Sequence, residues 1–241
     1  MLYKSKGIVF RNIKYGETSL IMDIYTEEKG LRSFIVNGVR SSRAKSKASL
    51  YQVMHILQIL AYEKDSNKLS RIKEANNAYI YRQLPFHIVR SNLGIFIIDL
   101  ARNTIKEKEA NPELFNFLHS WLVFVDQAES SVLKFIPLVF AMNLSSYLGF
   151  EPRDDYTEER TFFSLQHGSF FSDAEEKYTL DQHDSNQFYL LMFANMETIK
   201  NLDFTKTERR ALLDQLMLFY KLHVEGFKEL RSLVILQSLN K

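Results

Sequence analysis

Six histidines, 29 carboxylates and no cysteine are the side chains from which any covalent or metal chemistry of this chain must be built. The histidines stand at 55, 87, 119, 167, 183 and 223, and no two fall at the helical spacing that metal ligands favour. His167, Asp173, Asp181 and His183 are close enough in sequence to meet around a metal ion. The plainer reading makes them polar residues of a surface hairpin. The run "PRDDYTEER" gathers carboxylates, but a charge-rich loop is ordinarily just solvated. The chain has no G-x-S-x-G elbow, no Walker phosphate loop, no G-x-G-x-x-G turn and no H-E-x-x-H helix. No catalytic residue, metal site or cofactor is therefore expected, and the chain is not read as an enzyme.

The chemistry that the spacing does favour is electrostatic. In "NGVRSSRAKSKASL" the residues Arg40, Arg43, Lys45 and Lys47 fall within eleven positions, Val39 to Ser49, without one acid. Like charges packed this closely repel one another, which a loop tolerates by spreading them. Laid along a phosphate backbone, the same charges gain by releasing counterions, and the intervening serines can donate hydrogen bonds to phosphate oxygens. Arg11, Lys14 and Arg32 follow as candidate DNA contacts, then Lys68, Arg71 and Lys73. For each of these the alternative is a solvated surface cation. The wider charge pattern agrees: residues 1–82 hold 15 Lys and Arg against 7 Asp and Glu, a net of +8, whereas 83–241 hold 16 against 22, a net of −6. A basic first part suggests a polyanionic partner.

The elements that must position these residues change character along the chain. "KGIVFRNI", "SLIMDIYT", "LRSFIVN", "VMHILQILAYEK" and "LSRIKEANNAYIY" read as five antiparallel strands, parted by turn signals at Gly16 and Gly30. Five strands in about 80 residues match an OB-fold barrel. Tyr3, Phe10, Tyr15, Tyr25, Phe34, Tyr51 and Tyr62 interleave with its cations. At least half must fill the barrel, leaving the others to stack on bases. After Pro85 the period becomes helical. Asn111 and Pro112 mark a helix start, "SSVLKFIPLVFAMNLSSYLG" is a helix stopped by Gly149, Asp184 or Ser185 can cap a further helix, and "TKTERRALLDQLMLFYKLHVEGFKELRSLVILQSL" is one long helix or two parted near Gly226. The fold class is α+β: an N-terminal five-stranded OB-fold β-barrel over residues 1–82, then a C-terminal α-helical domain over 83–241 with a short hairpin insertion around 151–183.

The order of these pieces resembles a known family. "KGIVFRNIKYGETSLIMDIYTEEKGLRSFIVNGVRSSRAKSK" carries Tyr15-Gly16-Glu17, Ser19-Leu20, Thr26-x-x-x-Gly30 and Gly38-x-Arg40 in the arrangement that opens the bacterial recombination mediator RecO. "LSRIKEA" resembles that family's last barrel strand, and "LHVEGFKELRSLVIL" its final helix. The resemblance implies a cytoplasmic, nucleoid-associated bacterial protein of DNA repair, DNA damage response and DNA recombination. Such a protein binds single- and double-stranded DNA, anneals complementary strands and, with RecR, helps load RecA onto DNA covered by single-strand-binding protein. The acidic C-terminal tail of single-strand-binding protein would dock in the helical domain, where Lys134, Arg209, Arg210 and Arg231 are the candidate rim. Many relatives carry a four-cysteine zinc module after the segment matching "GFEPRDD"; this chain has no cysteine to build one. Val53 stands where many relatives have proline. A general RNA-binding OB module in translation or RNA processing is the alternative reading, and it leaves the helical domain unexplained.

Overall fold

In the computed structural model, residues 2–40, 48–62, 68–106 and 108–239 are described. Five strands, β1 (Leu2–Tyr15), β2 (Ser19–Thr26), β3 (Gly30–Val36), β4 (Ile56–Tyr62) and β5 (Ser70–Asn77), close into a barrel in the order β1-β2-β3-β5-β4. Closure removes both free sheet edges. The pairings are antiparallel except β3 with β5, which run parallel through Phe34 opposite Ser70 and Ile35 opposite Arg71. The expectation of five antiparallel strands is corrected there: β3 runs with β1 because both are antiparallel to β2, and β5 runs with β1 because both are antiparallel to β4, so β3 and β5 must meet in parallel.

β1 begins at Leu2, earlier than its alternating pattern suggests. The reason is that it pairs with β4 along its first half and with β2 along its second. A register shift between Val9 and Arg11 bends it between these partners. β5 ends at Asn77, so the Tyr79–Tyr81 stretch is not strand. Val9, Met22, Ile24, Phe34, Leu57, Ile59 and Ile72 fill the interior.

Gly30 turns the chain from β2 into β3 at φ +64, and a Cβ there would collide with the Glu109 carbonyl oxygen. The stretch between two helices, α1 (Ile88–Thr104) and α2 (Pro112–Gln127), therefore lies against this turn. α2 starts as expected, with Asn111 accepting from the Leu114 N–H at 3.0 Å, and its Phe115 ring stacks on Tyr25, which stacks on Phe10. The barrel and these helices form one compact unit, Met1–Gln127; Ala128–Lys241 form the other. The change of texture near residue 82 thus falls inside the first unit, between its strands and its helices.

The second unit holds α3 (Ile136–Tyr147), the hairpin β6 (Phe162–Ser164) with β7 (Ser169–Phe171), α4 (Gln182–Met192), α5 (Lys206–His223) and α6 (Arg231–Leu239). α3 is shorter than its apolar pattern. Leu133–Phe135 form a 3-10 turn, and Pro137, which lacks an N–H, sits in the first helical turn where none is needed. α4 is capped by Asp181 rather than Asp184 or Ser185: the Asp181 carboxylate accepts from the Asp184 N–H at 2.8 Å. α5 opens with a capping box between Thr205 and Glu208 and ends before Gly226, so the long helical run is two helices.

The hairpin is held by rings. Phe163 stacks on Phe188 at 4.5 Å and lies 4.9 Å from Phe170. The Asp155 carboxylate accepts from the Phe170 N–H at 2.9 Å, and the Ser185 hydroxyl accepts from the Phe163 N–H at 2.8 Å.

Candidate nucleic-acid interface

The barrel's register decides which of its residues share an outer face. Crossing from β1 to β3, Arg11, Asp23 and Ser33 are opposite one another in turn. One step along, Ile13, Ile21, Ile35 and, on β5, Arg71 form the next row. Side chains alternate along a strand, so these rows point away from the interior filled by Met22, Phe34 and Ile72. Ile13 is 39% exposed and Tyr15, at the end of the same strand, 55%. An apolar row, an aromatic ring and flanking cations thus lie together on a surface where solvent would ordinarily favour polar groups.

The basic stretch leaves the barrel at one end of this face. Val39 is buried in the core, and the Arg40 N–H donates to the Thr18 carbonyl at 2.9 Å. The Arg40 guanidinium donates to the Gly16 carbonyl at 3.2 Å, which holds it over the β1–β2 turn. The chain returns through a 3-10 turn, Ser49–Tyr51, whose Tyr51 is buried, with its carbonyl accepting from the Asn12 side chain at 2.6 Å. Arg43, Lys45 and Lys47 lie outside the described residues.

The remaining candidates differ in their freedom. Arg11 stands 3.7 Å from the Asp23 carboxylate. Lys14, opposite Leu20, reaches solvent at the end of β1. Arg32 is turned to main chain, donating to the carbonyls of Leu31 and Lys108. Lys68, Arg71 and Lys73 are exposed. Of the seven barrel aromatics, Phe10, Tyr25, Phe34 and Tyr51 are buried and Tyr3 packs against the core, leaving Tyr15 and Tyr62 with open faces. The isoleucine row escaped the sequence reading, because alternation alone does not say which parity faces inward.

In the second unit, Lys134 and Arg209 approach the same Phe135 ring, at 4.8 and 5.6 Å from its centroid. The Arg209 guanidinium also donates to the Phe204 carbonyl at 2.6 Å, and the Phe204 ring meets Phe135 edge-on. Two like charges are gathered here, held by cation–π attraction. Arg210 and Arg231 are exposed and are not part of this group. A separate depression of about 430 Å³ is lined by Met142, Asn143, Ser146, Glu151, Arg153 and Phe193, among others.

Among the described residues, no three His, Asp or Glu converge on a metal position. His167 pairs with Glu176 at 2.9 Å and His183 with Glu208 at 3.4 Å, so the four residues considered for a metal are dispersed. Shifted ionisations mark packing. Burial pushes the hydroxyls of Tyr81 and Tyr220 up and the imidazoles of His55 and His119 down. No helix among the described residues is long and apolar enough to cross a membrane.

A closed barrel of this strand order, with a cation-flanked outer face and a helical unit following it, is an OB-type barrel joined to a helical domain. Two family models match it almost end to end, "Recombination protein O N terminal" over residues 1–81 and "Recombination protein O C terminal" over 85–233. The chain belongs to the recombination protein O (RecO) family. It is 32% identical over 240 residues to the DNA repair protein RecO of Phocaeicola vulgatus, 32% to that of Flavobacterium psychrophilum and 30% to that of Christiangramia forsetii, with 99% of both chains covered in each case.

Proposed function

We propose that this protein is a recombination mediator that acts by binding rather than by turnover. It holds single- and double-stranded DNA on the barrel and anneals complementary strands. With RecR, it helps load RecA onto DNA covered by single-strand-binding protein, in the bacterial cytoplasm at the nucleoid. The observation that carries this reading is the outer barrel face, where Arg11 and Arg71 lie with the row Ile13, Ile21, Ile35 and the open ring of Tyr15, and Arg40 is held over the adjoining β1–β2 turn. Cations take phosphates, while apolar and aromatic groups suit unstacked bases.

Annealing follows from electrostatics. Two DNA strands repel along their length, and a surface that neutralises their backbones while leaving base edges free lowers that barrier. Handover requires a grip on single-strand-binding protein as well. The Lys134 and Arg209 pair around Phe135 supports a docking point for its acidic tail, because a carboxylate placed there relieves the repulsion between two gathered cations.

The test is DNA-binding anisotropy against salt, with the intact chain beside a folded variant in which Arg40, Arg43, Lys45 and Lys47 are alanine. Removing four phosphate partners of a single strand makes the log–log salt slope shallower by roughly 0.7 each, so about 3 in total. An unchanged affinity and slope would remove the basic stretch from the interface.

A further inference from the structure

Arg11 is the one cation of the binding face whose charge is already answered. Of Arg11, Arg40 and Arg71, it alone stands beside a carboxylate, among the described residues. The partner, Asp23, is directly opposite it in the β1–β2 register. Asp23 is fixed from its other side by Ser33 on β3, whose hydroxyl donates to Oδ1 at 2.7 Å. Oδ2 then faces the Arg11 guanidinium at 3.7 Å. The carboxylate thus sits in the middle of a three-strand row, one row from Ile13, Ile21 and Ile35. A surface meant to attract phosphate carries a negative charge near its centre, and an exposed ion pair of this kind contributes little to folding.

We propose that Asp23 is a counter-charge built into the binding face, which weakens its grip on phosphate and eases release of the strand. The proposal rests on the DNA-binding reading of that face. A phosphate arriving at Arg11 must displace Asp23 and then remain beside it, so the interaction is weakened from the start and breaks early. Arg40 and Arg71 hold the strand without that handicap. A protein that delivers DNA to another must let go of it, and a paired arginine achieves this without losing the attraction that recruits the strand.

The experiment compares Asp23→Asn and Asp23→Ser with the intact chain, using a fluorescent oligothymidine, across a salt series. Thermal melting serves as the check on folding. Asparagine keeps the size of the side chain and an oxygen for the Ser33 hydroxyl while removing the charge. An arginine freed to hold one more phosphate steepens the slope by roughly 0.7, which is about fivefold tighter binding at 0.1 M salt relative to 1 M. Dissociation slows correspondingly. The tighter binding is expected to vanish when Arg11→Ala is added, since it runs through Arg11. If both Asp23 variants bind as the intact chain does while Arg11→Ala alone weakens binding, the counter-charge idea is overturned and the face stands. If neither position matters, the DNA-binding reading of this face fails and the proposal with it.

Discussion

Asp126 carries its charge at 1% exposure, and the surroundings explain how. Its carboxylate accepts from the main-chain N–H groups of Arg82, Gln83 and Leu84 at 2.7–3.1 Å and from the Tyr79 hydroxyl at 3.1 Å. Burial alone would push the carboxyl up; these donors outweigh it and hold it below the ordinary carboxylate value. The group therefore anchors the stretch that follows β5 to the end of α2. Asp126→Ala should cost about 3 kcal/mol or more in chemical denaturation, because several buried donors lose their acceptor at once. The pH dependence has a definite sign. A depressed folded pKa means that the stabilisation is present above the unfolded pKa and is lost as pH falls through the folded one. The stability gap between the intact chain and Asp126→Asn should accordingly narrow below about pH 4. On the binding face, Tyr15→Ala should weaken single-strand binding by about 1–3 kcal/mol if a base stacks there. Duplex binding, in which the bases are already stacked, should change less; anisotropy with both substrates compares them.

Two turns show how the elements are tied together. Gly30 combines a positive φ with main chain close against its α-carbon. Gly30→Val should lower the melting temperature by several degrees or prevent folding, since a β-branched residue meets both the strain and the Glu109 carbonyl. In the second unit, the hairpin β6–β7 has no cysteine to cross-link it. Its cross-linking here comes from Phe163, Phe170 and Phe188, with Asp155 and Ser185 accepting main-chain N–H groups. Phe163→Ala should cost about 3–5 kcal/mol of the second unit's stability, whereas a chelator should leave thermal melting of the intact chain unchanged.

For the whole molecule, charge is uneven. Residues 1–82 carry an excess of cations, while the acidic remainder keeps a local cationic pair at Lys134 and Arg209, and the proposed function assigns the two a separate task each. Replacing both with alanine should leave single-strand affinity within about twofold. Binding of a synthetic acidic peptide with a C-terminal aromatic residue and free carboxylate should weaken by about tenfold or more, about 1.4 kcal/mol. Calorimetry with the peptide and anisotropy with DNA, on the same preparation, would expose any mixing of the two roles.

Much of this architecture was legible in the residues themselves. Strand alternation, Gly16 and Gly30 at the turns, Asn111 and Pro112 at a helix start and Gly149 at a helix stop are local chemistry, acting within a few positions of the chain. The concentration of positive charge is likewise a property of composition. The barrel's closure is different in kind, because the parallel pairing of Phe34 with Ser70 joins residues 36 positions apart, and no local pattern specifies it. That closure decides which parity of each strand is buried. It sends Phe10, Tyr25 and Phe34 inward or under a helix and leaves Tyr15 open. It brings Ile13, Ile21, Ile35 and Arg71 into one row, ties Arg32 to the carbonyl of Lys108, and sets Asp23 between Arg11 and Ser33. The amino-acid sequence alone determined which charges the protein has and which elements carry them. Only the tertiary structure decided which charges stand free, because pairing depends on distances between strands that the chain reaches by folding.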